Sequence, residues 1–153
     1  MLNNPKVLIV DEPTAGLDPE ERIRFRNLLS EVAEERIVIL STHIVGDIEA
    51  TCENIAILDS GKVLYQGTVH NLLAVADGKV FTKTVDRKEL PTLKRDLMIT
   101  GMHTQGRDVS VRFLTEHGTS NAEACAPNIE DAYMFYLKKN GAELEVNGNV
   151  ILE

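Results

Sequence analysis

The sequence predicts an α/β unit, a parallel sheet with helices against it, followed by a small α+β module. Three observations carry this expectation. Two unbroken apolar runs, Val7–Val10 and Ile37–Leu40, have the length and residue types of strands buried on both faces. The stretch between them repeats its apolar residues at helical spacing, so strand, helix and strand form a parallel crossover unit. Beyond Gly78 the pattern changes to strands that alternate apolar and polar residues, which belongs to antiparallel pairing. We therefore set the boundary at Asp77–Gly78, giving domains 1–77 and 78–153.

Taken in order, the first strand ends at Asp11-Glu12, and Pro13 stops it. Gly16 permits a tight turn, and Asp18-Pro19-Glu20-Glu21 supplies an N-cap, a proline in the first helical turn and a capping-box acid. The helix from Pro19 to Glu35 carries Phe25, Leu28, Leu29 and Val32 on one side, which makes it a surface helix packed on a sheet. After Ile37–Leu40, residues Ile44, Ile48 and Cys52 fall one helical turn apart. Asn54–Leu58 and Lys62–Gln66 flank Asp59-Ser60-Gly61 as a hairpin, expected at the far edge of the sheet. Thr68 caps a short helix through Ala76.

In the second module, Val80–Val85 reads as a strand and Pro91–Arg95 as part of a short helix. Asp96–His103 and Asp108–Thr115 read as a hairpin across Gln105-Gly106-Arg107. Val109, Val111 and Phe113 alternate with Ser110, Arg112 and Leu114, so one face of this sheet is expected to be half exposed. Asn128 caps a helix bearing Ile129, Ala132, Tyr133, Tyr136 and Leu137, with Gly141 as its stop. Asn147-Gly148 is a pair favoured in two-residue hairpin turns.

Composition narrows the function. The net charge of −8 comes with no basic patch, which argues against a nucleic-acid partner. No apolar run approaches the roughly 20 residues of a membrane span, and Met1-Leu2-Asn3-Asn4 lacks the pattern of a signal peptide. The expectation is a soluble, cytosolic chain in which Cys52 and Cys125 stay reduced. Their surroundings hold no zinc-ligand spacing.

The chemistry concentrates where the strands end. Asp11 and Glu12 leave the first strand on a short loop, and in open α/β sheets such ends carry ligands. A carboxylate there suits a hydrated magnesium ion, and a second one suits orientation of water. The run VLIVDEPTAGLDP resembles the Walker B strand, catalytic glutamate and D-loop of the ATP-binding subunits of ABC transporters. Ile37-Val38-Ile39-Leu40-Ser41-Thr42-His43 resembles the same family's next strand and switch histidine. Ala126-Pro127-Asn128-Ile129-Glu130-Asp131-Ala132-Tyr133 resembles the closing helix that follows the nucleotide-binding domain in many export subunits.

That resemblance implies a partial P-loop NTPase (RecA-like) sheet followed by an accessory domain, with ATP and Mg2+ as cofactors. It implies that Asp11 holds magnesium through water, Glu12 acts as general base and His43 bonds the γ-phosphate. Asp18 would cap its helix and also cross to a partner subunit as part of the D-loop. His43 has a second reading, as a cap on the Ile44 helix. Ser41 and Thr42 are expected only to shape the turn, and His70, His103 and His117 to be surface residues. The implied partners are a transmembrane permease subunit and a second ATPase subunit, and the implied location is cytoplasmic, peripheral on the inner face of the cell membrane.

The 153 residues contain no G-x-x-x-x-G-K-[ST] loop. Gly61-Lys62 has Ala56 where the first glycine belongs and Val63 after the lysine, while Gly78-Lys79 fails at Leu73 and Val80. The Leu-Ser-Gly-Gly-Gln signature is also missing, so the chain is expected to be the later part of such a subunit, inactive alone. Met1 is then an internal methionine, or the start of a truncated gene product. Two other classes stay open. One is a non-catalytic interaction module in which the segment after Gly78 contacts a partner or a second copy of itself, with apolar surface left uncovered on the parallel strands. The other is an unrelated magnesium-dependent hydrolase, for which Asp59 is the one further strand-end carboxylate.

Overall fold

A computed structural model of the chain describes residues 5–139. They divide into two compact units, one up to Gln66 and one from Gly67 onward. The division precedes the helix capped by Thr68, whereas the composition boundary at Asp77–Gly78 follows it. Helix α3 (Val69–Ala74) packs on α5 (Ile129–Lys139), which places it in the second unit.

In the first unit, β1 (Val7–Asp11) and β2 (Ile37–Ser41) pair in parallel, from Val7 opposite Ile37 to Asp11 opposite Ser41. Helix α1 (Pro19–Ala33) connects them and packs on β2. Asp18 caps it as expected, its carboxylate accepting the Glu21 amide at 2.8 Å. Of its apolar stripe, Leu29 is fully buried while Leu28 is half exposed. Helix α2 (Val45–Thr51) follows β2 and packs on α1.

The expectation that both strands are buried on both faces is corrected. Along each, exposed and half-buried residues alternate: Val7 is 47% exposed, Ile9 71%, Ile37 63% and Ile39 51%. A two-stranded ribbon with helices on one side covers only every second residue, because side chains point to opposite faces in turn. The hairpin of β3 (Asn54–Asp59) and β4 (Lys62–Thr68) is also not at the far edge of that sheet. It forms a two-stranded sheet of its own, turning through Ser60 and Gly61 at positive φ.

The second unit is an antiparallel sheet in the order β6-β7-β5-β8, where β5 is Val80–Asp86, β6 Met98–Gln105, β7 Asp108–Leu114 and β8 Glu123–Ala124. Its core is Val85, Val109, Val111 and Phe113, against which Leu90 and Leu93 of α4 (Leu90–Asp96) pack. Gly106, at φ +63, turns β6 into β7. The β6–β7 ladder slips between Ile99 and Gly101, leaving Thr100 as an extra residue. Helix α5 packs on β6 and β7, so the face carrying Ser110 and Arg112 is half-buried. Asn128 caps α5, accepting the Asp131 amide at 2.8 Å. Gly141 and the Asn147-Gly148 turn lie outside the described residues.

Candidate functional site

The parallel register sets the site. Asp11 stands opposite Ser41 at the ends of β1 and β2, and the ladder runs one step further through a 2.9 Å bond from the Glu12 amide to the Ser41 carbonyl. The loop after β1 then coils tightly. Ala15 donates to the Glu12 carbonyl at 3.1 Å, Leu17 to the Thr14 carbonyl at 3.2 Å, and Gly16 takes φ +78. Glu12 itself sits at φ +44, a left-handed conformation that costs a non-glycine residue about 1 kcal/mol or more.

That strained backbone turns the Glu12 side chain toward the neighbouring strand end. Its Oε1 accepts the His43 amide at 3.1 Å and lies 2.9 Å from His43 Nδ1. An ionised Glu12 can only accept, so Nδ1 carries the proton and Nε2 faces away as the second ring nitrogen. Glu12 Oε2 is shielded from solvent and has no hydrogen-bond partner among the described residues. Such an orphaned oxygen marks a place where the fold alone does not satisfy its own groups. Asp11 is exposed, and one of its oxygens, Oδ1, accepts the Ser41 hydroxyl.

Asp11, Glu12 and His43 are thus gathered at one end of one sheet, and Asp18 opens α1 from the same loop. The capping role for His43 is corrected. The residue at the N-cap of α2 is Ile44, which makes no side-chain cap, and the Thr42 hydroxyl accepts the Ile44 amide at 3.0 Å. Ser41 does more than shape the turn, since its hydroxyl holds Asp11. His70, His103 and His117 are exposed.

Among the described residues no three His, Cys, Asp or Glu side chains gather to hold a metal ion. Asp59, the further strand-end carboxylate, ends β3 in a different two-stranded sheet from Asp11. A magnesium ion that keeps its waters and shares oxygens with phosphates needs only one or two carboxylates. Asp11, exposed at the strand end, fits that requirement.

Sequence reasoning missed a second polar layer behind this site. Thr14 and Asp47 are each only 1% exposed, and the Thr14 hydroxyl donates to Asp47 Oδ2. Arg26 of α1 donates from Nη1 to the Gly46 carbonyl at 3.2 Å and brings Nε to 3.4 Å from Asp47 Oδ1. Nothing local announces these partners, which stand far apart in the chain.

A second buried carboxylate was also missed, in the second unit. Asp131 is fully buried and accepts from Arg112 Nε at 2.9 and 3.1 Å, from Arg112 Nη2, from Thr100 at 2.5 Å and from the Asn128 amide at 2.9 Å. Burial pushes its carboxyl up, but these donors together outweigh burial and hold it below the usual range. The same pairing pushes the Arg112 guanidinium up. Here a signal did exist, because Asn128 and Asp131 have capping-box spacing.

No protein-family model matches the chain. Curated proteins do. It is 33% identical over 88 residues to the uncharacterized ABC transporter ATP-binding protein YxlF of Bacillus subtilis (strain 168), covering 58% of this chain and 30% of that protein. It is 36% identical over 74 residues to the Nod factor export ATP-binding protein I of Ralstonia nicotianae, covering 48% of this chain and 23% of that protein. With the uncharacterized ABC transporter ATP-binding protein sll0415 of Synechocystis it shares 29% identity over 153 residues, 92% of this chain and 42% of the relative. The chain therefore spans well under half the length of each of these relatives.

Proposed function

We propose, because this chain belongs to the family of ABC transporter ATP-binding proteins, that Asp11, Glu12 and His43 form the hydrolytic side of an ATP site that energises transport. The single observation that carries the reading is the Glu12 carboxylate, aimed from one parallel strand end onto His43 of the next at 2.9 Å. ATP and magnesium, when bound, supply the phosphoryl group and the charge that neutralises its transfer. Asp11 would hold the magnesium ion through water. Glu12 offers its carboxylate to the proton of the attacking water. His43, with Nδ1 committed to Glu12, presents Nε2 as the nitrogen for the γ-phosphate. Asp18 reaches toward a second ATPase subunit.

The groups that grip the phosphates lie outside these 153 residues, so the chain alone does not bind or hydrolyse ATP measurably. In the complete subunit it docks on a transmembrane permease at the cytoplasmic face of the membrane. Among the described residues no helix is long and apolar enough to cross a membrane. An export role is favoured by relatives named for Nod factor export.

The test has two arms. Calorimetry on the chain alone gives a dissociation constant for MgATP weaker than about 1 mM. Grafting residues 5–139 in place of the aligned segment of the Synechocystis relative gives a protein that hydrolyses MgATP, and Glu12→Gln lowers its kcat by about a hundredfold or more. A Glu12→Gln graft that keeps its full kcat refutes the assignment.

A second reading, an interaction module, is favoured by the exposed apolar row Val7, Ile9, Ile37 and Ile39. In that case the chain self-associates through this row. Light scattering that returns the monomer mass at high concentration rules it out.

A further inference from the structure

We propose that Asp47 is a positioning residue for the Glu12–His43 pair, acting through Thr14. The proposal rests on the reading of Glu12 and His43 as the hydrolytic pair.

One buried carboxylate joins three segments. Its Oδ2 takes the Thr14 hydroxyl from the loop after β1, and its Oδ1 faces Arg26 of α1 at 3.4 Å. Its own amide bonds the Ile44 carbonyl at 3.0 Å, closing the turn that follows His43. Arg26 reaches the same turn at the Gly46 carbonyl. Asp47 therefore grips the Glu12 loop with its side chain and the His43 segment with its backbone.

The strain at Glu12 makes that grip matter. A glutamate relaxes from φ +44 to ordinary negative φ unless its neighbours prevent it. The amide of Glu12 is held by Ser41, and its carbonyl by Ala15. Thr14 is the fixed point of the following turns, since it is 1% exposed and its carbonyl also takes the Leu17 amide. Release of the Thr14 hydroxyl frees the loop to unwind. The Glu12 carboxylate then swings off the amide and ring of His43. An apolar pair would pack the same space without specifying one arrangement, whereas a buried hydroxyl–carboxylate bond is satisfied in a single register.

The test uses the full chain and amide hydrogen exchange read by NMR. The His43 amide, bonded to Glu12 Oε1 at 3.1 Å, reports the pair directly. The Ile37 amide, bonded to the Lys6 carbonyl at 3.0 Å, reports the far end of the same sheet. Thr14→Val removes the hydroxyl but strands a buried acceptor, so it is read beside Thr14→Val/Asp47→Leu/Arg26→Met, which removes that acceptor together with the cation that faces it. In either variant the His43 amide exchanges about tenfold faster relative to Ile37, and the His43 ring nitrogen signals move. Thr14→Ser, which keeps the hydroxyl, restores both. Equal change at His43 and Ile37, whether none, small or a joint loss in both variants, overturns the proposal. Neither readout needs ATP, so an inert graft defeats the hydrolytic reading without touching this result.

Discussion

Arg112→Met isolates Asp131, the one fully buried carboxylate among the described residues of the second unit. In the native protein Asp131 has no exposed surface and draws four donor groups, Arg112 Nε and Nη2, the Thr100 hydroxyl and the Asn128 amide. Removing the guanidinium leaves two neutral donors and an uncompensated charge. Breaking a buried pair from one side costs about 3–5 kcal/mol. The low end applies, because the Arg112 side chain is 25% exposed and Thr100 and Asn128 stay in place. About 3 kcal/mol corresponds to a fall in Tm of roughly 12–24 °C for a unit of this size. Urea titration followed at the β5 and β7 amides measures it within this unit alone. Acidification adds an independent reading. The folded Asp131 carboxyl lies below its unfolded value, so its contribution is fully present above about pH 4 and is lost as pH falls through the lower folded value. Without Arg112 the chief favourable donor is gone and burial dominates, so the folded value rises toward or above the unfolded one and the acid-dependent loss shrinks or reverses. Arg112→Met/Asp131→Leu recovers part of the loss by removing the stranded charge. A single variant that costs less than about 1 kcal/mol, or an acid limb that does not move, refutes the reasoning.

Three more outcomes follow from the same structure. Asp18→Ala removes the carboxylate that accepts the Glu21 amide at 2.8 Å and costs about 1 kcal/mol, read by urea titration at the α1 amides. Leu72→Ala empties a site with no exposed surface in α3, the helix that packs on α5, and costs about 2–5 kcal/mol in the second unit, the spread depending on how far its surroundings settle inward. Ile9→Lys and Ile39→Lys, at positions 71% and 51% exposed, change stability by no more than about 0.5 kcal/mol. If the chain self-associates through this row, either one lowers its mass in light scattering.

What could be read from sequence was what repeats locally. The apolar runs gave the parallel pair, and Asp18-Pro19 gave the start of α1 to the residue. The pair Asp11-Glu12 and the distant His43 were placed together only because both end adjacent parallel strands, and the register puts them there. Burial on both faces was a wrong inference from the same apolar runs. Composition reports that a residue can be covered, and the cover itself is supplied by other segments. Val7 and Ile9 have no such segment among the described residues.

The polar interior was illegible for a different reason. Thr14 and Asp47 are 33 residues apart, Thr100 and Asp131 are 31 apart, and Arg112 and Asp131 are 19 apart. No helix or strand period links such positions, so each looks like a surface residue in its own segment. The Thr100 case shows how tertiary structure makes the link. A regular ladder would pair Thr100 against β7, but the slip between Ile99 and Gly101 leaves it over, and its hydroxyl reaches Asp131. Gly101 then sits opposite Arg112, where an added Cβ would meet the arginine Cβ at an ordinary 3.5 Å contact. The bulge and the ion pair meet in this way at Asp131. Both units therefore place a buried carboxylate where the chain departs from regular geometry, Asp47 behind the left-handed Glu12 and Asp131 behind the bulged Thr100. In each the carboxylate holds an irregularity that apolar packing alone would not define.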